Sequence, residues 1–77
     1  MTNLTTEIIK TLSATIEIPS VYNRDFVERL IEEDQRQHPA SWQEWDFKAK
    51  VDEFVAAIKM AIKEEETAVE RVLLYCF

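Results

Sequence analysis

Few residues in this chain have the type and spacing to bind a metal ion. His38, the only histidine, lies four residues after Asp34, so a helix would place the two side chains on one face. Two ligands are too few for a zinc site, and no cysteine or second histidine stands near them in the sequence. A histidine close to a helix C-terminus more often interacts with the terminal backbone carbonyls. The sequence therefore predicts no metal site.

No pattern in the sequence is typical of a catalytic site. Cys76 is the only cysteine, and it lies in an apolar run without a nearby histidine that could act as its base. Fifteen residues are acidic, but their spacing marks no acid–base pair. The chain has no glycine, which excludes the glycine-dependent P-loop, dinucleotide-binding and nucleophile-elbow motifs. We therefore predict that the protein is not an enzyme, with no catalytic residue and no bound cofactor.

Trp42, Trp45 and Met60 form a second group of interest, because they lie opposite the main apolar face of the predicted third helix. Two interpretations stay open. The tryptophans could cover the two N-terminal helices as part of the core, which is the interpretation that we favour. Alternatively, the three residues could form an exposed anchor for a partner protein, since tryptophan is enriched at interface hot spots.

Two acidic runs, residues 32–34 and 64–66, stand out in a chain whose net charge is −6. A solvated helical surface is the simpler interpretation, and docking on a basic partner or imitation of a phosphate backbone is the alternative. Four basic residues flank the runs and weaken the imitation: Arg29, Arg36, Lys59 and Lys63. The negative charge also argues against direct binding to nucleic acid or to an anionic membrane.

Hydrophobic periodicity predicts an all-α helical bundle, in which two short helices pack on a long C-terminal one. The first helix covers about residues 4–16, and the second covers about residues 21–37. A short polar side chain before each helix could accept a hydrogen bond from its first backbone N–H groups. The candidate N-cap residues are Thr5 or Thr6 for the first helix and Ser20 or Asn23 for the second.

The third helix is predicted over about residues 42–76, after Pro39 ends the second. A capping-box pattern at residues 41–44 marks its start. Apolar residues recur at helical spacing almost to the C-terminus, which favours one continuous helix. A bend or break near Glu65 is the alternative, because that residue interrupts the apolar face and residues 67–70 resemble a second capping box.

A homodimer follows from the length of this third helix, and it follows from a broken helix as well if the mainly apolar residues 72–77 are to be buried. A helix of about 35 residues would be about 52 Å long, whereas a compact chain of 77 residues is about 30 Å across. One copy could not cover such a helix, and a second copy could. The predicted interface with the second copy or another partner comprises Phe54, Ile58, Ile62, Val69, Val72, Leu73 and Cys76.

Length and composition limit the possible functions further. We expect one helical domain over residues 1–77, since 47% of the residues are apolar. The sequence shows neither a signal-peptide pattern nor an apolar run long enough to cross a membrane, so we expect a cytoplasmic protein. We predict a small acidic module that binds and modulates a larger protein, such as a phage or plasmid inhibitor or antitoxin. The alternatives are a transcription-related or DNA-mimic regulator and a structural subunit of a larger assembly.

Overall fold

The computed structural model describes residues 3–75, and these residues form helices and connecting turns without any strand. The elements are α1 (Leu4–Thr15), α2 (Arg24–Gln37), a 3-10 turn (Pro39–Trp42), α3 (Phe47–Lys63) and α4 (Val69–Leu73). The predicted all-α class is confirmed, with four α-helices in the described range where three were predicted. Within that range, none of the helices has the length and apolar content needed to cross a bilayer.

Asparagine and aspartate side chains cap the N-termini of the three longer helices. Asn3 accepts a hydrogen bond from the backbone N–H of Thr5 at 2.8 Å, Asn23 from that of Phe26 at 2.9 Å, and Asp46 from that of Ala49 at 2.9 Å. Such caps satisfy N–H groups that have no partner within the helix. Asn23 was one of the two predicted caps of α2, whereas the prediction of a threonine cap for α1 is wrong.

The third helix begins at Phe47, so the predicted start near residue 42 is wrong. Residues 41–44 do not form a capping box, since the Ser41 hydroxyl donates to the backbone oxygen of His38 at 2.9 Å. Pro39 instead opens the 3-10 turn at the position where a missing N–H group costs least. Asp46 then supplies the cap that the helix uses.

The continuous form of the third helix is also wrong, because α3 ends at Lys63. Glu65 takes the left-handed conformation with φ of 57°. The N–H of Glu66 donates to the Ala61 carbonyl at 2.8 Å and that of Glu65 to the Ile62 carbonyl at 3.2 Å, which together make a Schellman motif. The chain therefore breaks at the position given as the alternative, although no side chain caps α4 and the second capping box does not form.

This break lets α4 fold back onto α2 and α3, while α1 packs against the same two helices. The largest fully buried side chains come from the first three helices: Ile8, Leu12, Phe26, Leu30, Phe54 and Ile58. The radius of gyration is 11.5 Å, close to the value of about 11.5 Å expected for one compact chain of this length.

Most of the predicted dimer interface lies inside this single-chain core. Phe54, Ile58 and Val72 are completely buried, and Leu73 is nearly so. Two further residues, Ile62 and Val69, pack against the core half-buried, and Cys76 lies outside the described residues. The long rod that a single copy could not cover does not exist. A homodimer therefore loses one of its two structural reasons and stays a prediction about the protein in solution.

Tyr22, just before α2, forms hydrogen bonds with the backbone at the end of α3. Its hydroxyl donates to the backbone oxygens of Ala61, at 3.3 Å, and Glu66. These are the two residues joined by the 2.8 Å hydrogen bond of the Schellman motif. Burial raises the pKa of the Tyr22 hydroxyl, and the nearby carboxylates of Glu66 and Glu65 raise it further.

Glycine at position 65 should stabilise the protein, because only glycine enters the left-handed region without a steric penalty. Replacing Glu65 also removes a charge, so the informative comparison is between Glu65→Gly and Glu65→Ala. We expect Glu65→Gly to have the higher free energy of unfolding by about 1 kcal/mol in urea titrations. Position 64 is the matched control, because its φ is −89°. At position 64 the alanine variant should be more stable than the glycine variant. The same order of stability at positions 64 and 65 would contradict the left-handed conformation of residue 65.

The free energy of unfolding should fall as the pH rises above about 10. In that range the tyrosines of the unfolded chain lose their protons, while buried Tyr22 keeps its own because its pKa is raised. The unfolded state then binds fewer protons than the folded state, so stability decreases with pH. Tyr22→Phe should show a smaller decrease, measured by denaturant unfolding at several pH values. Tyr75→Phe is the control for losing one tyrosine. If the free energy of unfolding of Tyr22→Phe decreased with pH as much as that of the wild-type chain, the expectation would be refuted.

Candidate functional site

The 3-10 turn places Trp42 against a carboxylate that the fold has buried. Asp34, in the last turns of α2, is 2% exposed. The indole Nε1 of Trp42 donates a hydrogen bond to Oδ2 of Asp34 at 2.8 Å. A carboxylate removed from water is strongly unfavourable unless it is hydrogen-bonded. The Trp42–Asp34 bond therefore fixes the orientation of the Trp42 ring relative to α2.

Lys50, on α3, contacts Trp42 by a second kind of interaction. Its side chain is buried, at 5% exposure, and the Nζ atom lies 4.4 Å from the centroid of the Trp42 ring. This distance is within the range of a cation–π interaction. The same ammonium lies 3.4 Å from the Ser41 hydroxyl oxygen and 3.7 Å from a carboxylate oxygen of Glu53. Lys50 thus links α3 to the turn that carries Trp42.

The two tryptophans contact each other but differ in their surroundings. Their rings meet edge to face with centroids 5.1 Å apart. The ring of Trp42 also lies 6.1 Å from that of buried Phe54, so Trp42 is tied to the core. Trp45 remains 41% exposed and has its ring 6.3 Å from that of Phe47. The structure therefore places one tryptophan against the core and holds the other at the surface.

Met60 does not belong to this aromatic group. It is 43% exposed, but it lies 13 residues beyond Phe47 on α3, which corresponds to roughly 20 Å along the helix axis. The predicted anchor of Trp42, Trp45 and Met60 is therefore not one surface. A helix running unbroken from residue 42 would have kept the three residues on one face, and the actual start of α3 at Phe47 separates them.

Sequence reasoning missed Asp34 and Lys50 as structural partners of Trp42. Asp34 was included in a solvated acidic run, and Lys50 received no role. A signal was present for both. Asp34 follows the buried residues Leu30 and Ile31 by four and three positions, and Lys50 precedes buried Phe54 by four. Helical spacing thus places both polar residues on apolar faces.

A groove of about 340 Å³ opens beside the exposed tryptophan. Side chains from the N-terminal end of α1, from α2 and from the aromatic pair line it without any charged group: Asn3, Leu4, Thr5, Ile31, Gln35, Trp42 and Trp45. Trp45 forms a wall of the groove and is also accessible from outside. An uncharged groove with an exposed aromatic wall is typical of a site that takes up an apolar side chain.

A second groove, of about 440 Å³, lies between α1 and α3. It is lined by Glu7, Thr11, Phe47, Lys48, Val51 and Asp52. The two grooves adjoin where Trp45, a wall of the first, contacts Phe47, a wall of the second. We call the apolar surface formed by Leu4, Trp45, Phe47 and Val51 the aromatic strip.

The third groove, of about 320 Å³, has a different character because charged side chains dominate it. Arg29 and Arg36 lie there, and each pairs with an acid on its own helix, namely Asp25 and Glu33. The hydrogen bond from Arg36, and to a lesser extent the one from Gln37, lowers the pKa of Glu33. The hydrogen bond to Glu33 also raises the pKa of Arg36. Both arginines of this groove are therefore paired within α2.

The described residues, 3–75, contain no group of three or more side chains placed to ligate a metal ion. The pair considered from the sequence, Asp34 and His38, contributes one carboxylate that already accepts the indole N–H of Trp42. Cys76, the only thiol in the sequence, lies outside the described residues.

No family model, curated protein or solved structure matches this chain. Its function is therefore inferred from its own geometry and charge.

Replacing Trp42 should reveal how strongly its bond to Asp34 supports the fold. We expect Trp42→Phe to lower the free energy of unfolding by about 2 kcal/mol, because it leaves a buried carboxylate without its donor. Trp45→Phe, at the exposed neighbour, should change it by about 0.5 kcal/mol or less. The measurement is urea unfolding followed by circular dichroism.

A double-mutant cycle separates the lost hydrogen bond from the lost ring volume. Asp34→Asn should be less harmful in the Trp42→Phe background than in the wild-type chain, by about 1 kcal/mol. Additive effects of the two substitutions would show that the indole and the carboxylate do not interact.

Proposed function

We propose that this protein is a small binding module that attaches to a larger protein through the aromatic strip and modulates it. One observation carries the proposal: Trp45 is 41% exposed on a support that is itself held in place. Isolated exposed apolar residues are ordinary on protein surfaces. A tryptophan that adjoins two grooves and packs on a fixed ring is a better candidate for an interface anchor.

The support matters because rigid anchors bind more tightly than mobile ones. The Trp45 ring packs on Trp42, and Trp42 is held by its bond to Asp34 and by the ammonium of Lys50. The other aromatic neighbour of Trp45 is Phe47, at the first position of α3. Less side-chain entropy is lost on binding when the free protein already restricts the side chain.

The other functional classes have less support. Direct binding to DNA or RNA would require a basic face, and the chain has a net charge of −6. Imitation of a phosphate backbone requires unpaired acids in a regular series, whereas three acids along α2 are paired with arginines at helical spacing. The predicted homodimer is not part of this proposal, because most of its expected interface is buried in the single chain.

Photo-crosslinking from position 45 tests the proposal. A benzoylphenylalanine at Trp45 should form an adduct with one polypeptide in a lysate of the source organism. Position 60 is a matched control, since Met60 is equally exposed, at 43% against 41%, and lies away from the strip. Excess wild-type protein should compete with the adduct, and excess Trp45→Ala protein should compete at least about tenfold less well. Equal adducts from both positions, or equal competition, would refute the proposal.

A further inference from the structure

The carboxylates around the aromatic strip indicate the charge of its partner. Glu44 and Asp46 flank Trp45 in the chain, and both are exposed. Two more acids, Glu7 and Asp52, line the second groove. None of these four carboxylates forms an ion pair with another residue in the described range 3–75.

Basic residues near the strip are fewer than these acids, and among the described residues they form no ion pair with them. Lys48 is the one base that lines either of the two grooves among the described residues. Lys50 is close in sequence, but it is buried under Trp42 and is directed toward Glu53. The strip is therefore an apolar surface with an acidic rim, in contrast to the paired charges along α2.

We propose that the aromatic strip binds an amphipathic helix of the partner protein that carries lysine or arginine beside its apolar anchors. This inference rests on the proposed function and specifies the partner for the same surface. The apolar anchors enter the two grooves, and the cations meet the carboxylates of the rim. Charge complementarity of this kind steers association and excludes acidic competitors.

The spacing of the grooves suits a helix. Along α1, Leu4 lines the first groove, and Glu7 and Thr11 line the second. These lining residues are three to seven positions apart, which corresponds to about 4.5 to 10.5 Å of helix. Residues one or two turns apart on a partner helix cover the same range, so two of them can enter the two grooves together. Helix-in-groove recognition uses anchors at this spacing.

Trp45 can also bind a cation directly. The contact between Lys50 and Trp42 shows that an ammonium fits over an indole ring at 4.4 Å in this protein. The ring of Trp45 is exposed, and carboxylates stand on both sides of it in the sequence. A lysine or arginine of the partner would combine a cation–π interaction with an ion pair there.

A second copy of this chain fits the strip less well than a basic helix. A symmetric dimer through the strip would bring the same surface of both copies together. Each copy would contribute four carboxylates, Glu7, Glu44, Asp46 and Asp52, against the single Lys48. Like charges facing each other across an interface are unfavourable.

The probe for this inference is a pair of synthetic helical peptides. Both carry leucines at positions i and i+7. One has lysines beside the leucines, and the other has glutamates at the same positions. Calorimetric titration into the wild-type chain at physiological ionic strength should give an affinity for the lysine peptide at least about tenfold higher. Equal affinity for the two peptides would overturn the inference.

Variants locate the binding on the strip. Trp45→Ala should weaken the lysine peptide about tenfold or more. The combination Glu44→Gln, Asp46→Asn and Asp52→Asn should weaken it similarly, and asparagine at position 46 can still cap α3. The control removes the same charge elsewhere, as Glu17→Gln, Glu32→Gln and Glu64→Gln at three exposed positions. Equal weakening by both combinations would show unspecific attraction and overturn the inference.

Two further results separate this inference from the proposed function. Mass spectrometry of the adduct from position 45 identifies the partner segment, and a basic helical segment supports the inference. An acidic or uncharged segment would overturn the inference while leaving the proposed function intact. Sedimentation equilibrium tests the second copy: a dimer that Trp45→Ala converts to a monomer would overturn the inference, and a wild-type monomer supports it.

Discussion

The hydrogen bond between Trp42 and Asp34 is the interaction on which the candidate surface depends. Asp34 lies on the buried side of α2, where a carboxylate is tolerated only with a donor. To supply that donor, the chain after Pro39 turns back toward α2 in a 3-10 turn. The turn brings Trp42 against the core and leaves Trp45 facing solvent. One buried polar pair thus explains why adjacent aromatic residues have opposite environments.

Helix boundaries that depend on local chemistry were easier to predict from the sequence than the one that this interaction sets. The end of α2 was predicted, and Asn23 was one of the two candidate caps. The start of α3 was not, although residues 41–44 have a capping-box pattern. A capping box stabilises a helix by about 1 kcal/mol, and a buried carboxylate without its donor costs more than that. The bond between the turn and α2 therefore prevails over the capping-box signal, and a pattern read along the chain does not reveal such a bond.

Periodicity favoured a continuous helix over the alternative break at Glu65, because the apolar pattern resumes beyond that residue. Val69 follows Ile62 by seven residues, so both fall on one face of an uninterrupted helix. The usual sign of a helix end is a glycine, and this chain has none. Hydrogen bonds from Tyr22 and within the Schellman motif instead offset the left-handed conformation of Glu65. The predicted dimer lost one of its two reasons with the continuous helix; the other, the need to cover the mainly apolar residues 72–77, involves a segment that lies partly outside the described residues.

Charge placement distinguishes the two long surfaces of the molecule. On α2, arginines lie three or four residues from acids and form ion pairs with them. Exposed pairs of this kind contribute little to stability, but they leave the α2 surface nearly neutral. Around the aromatic strip, the acids form no ion pair with another described residue, although Lys48 lies four residues before Asp52 on α3. Carboxylates without an ion pair among the described residues thus stand beside the exposed tryptophan in a chain whose net charge is −6, and this charge suits the cationic helix that we propose as the partner.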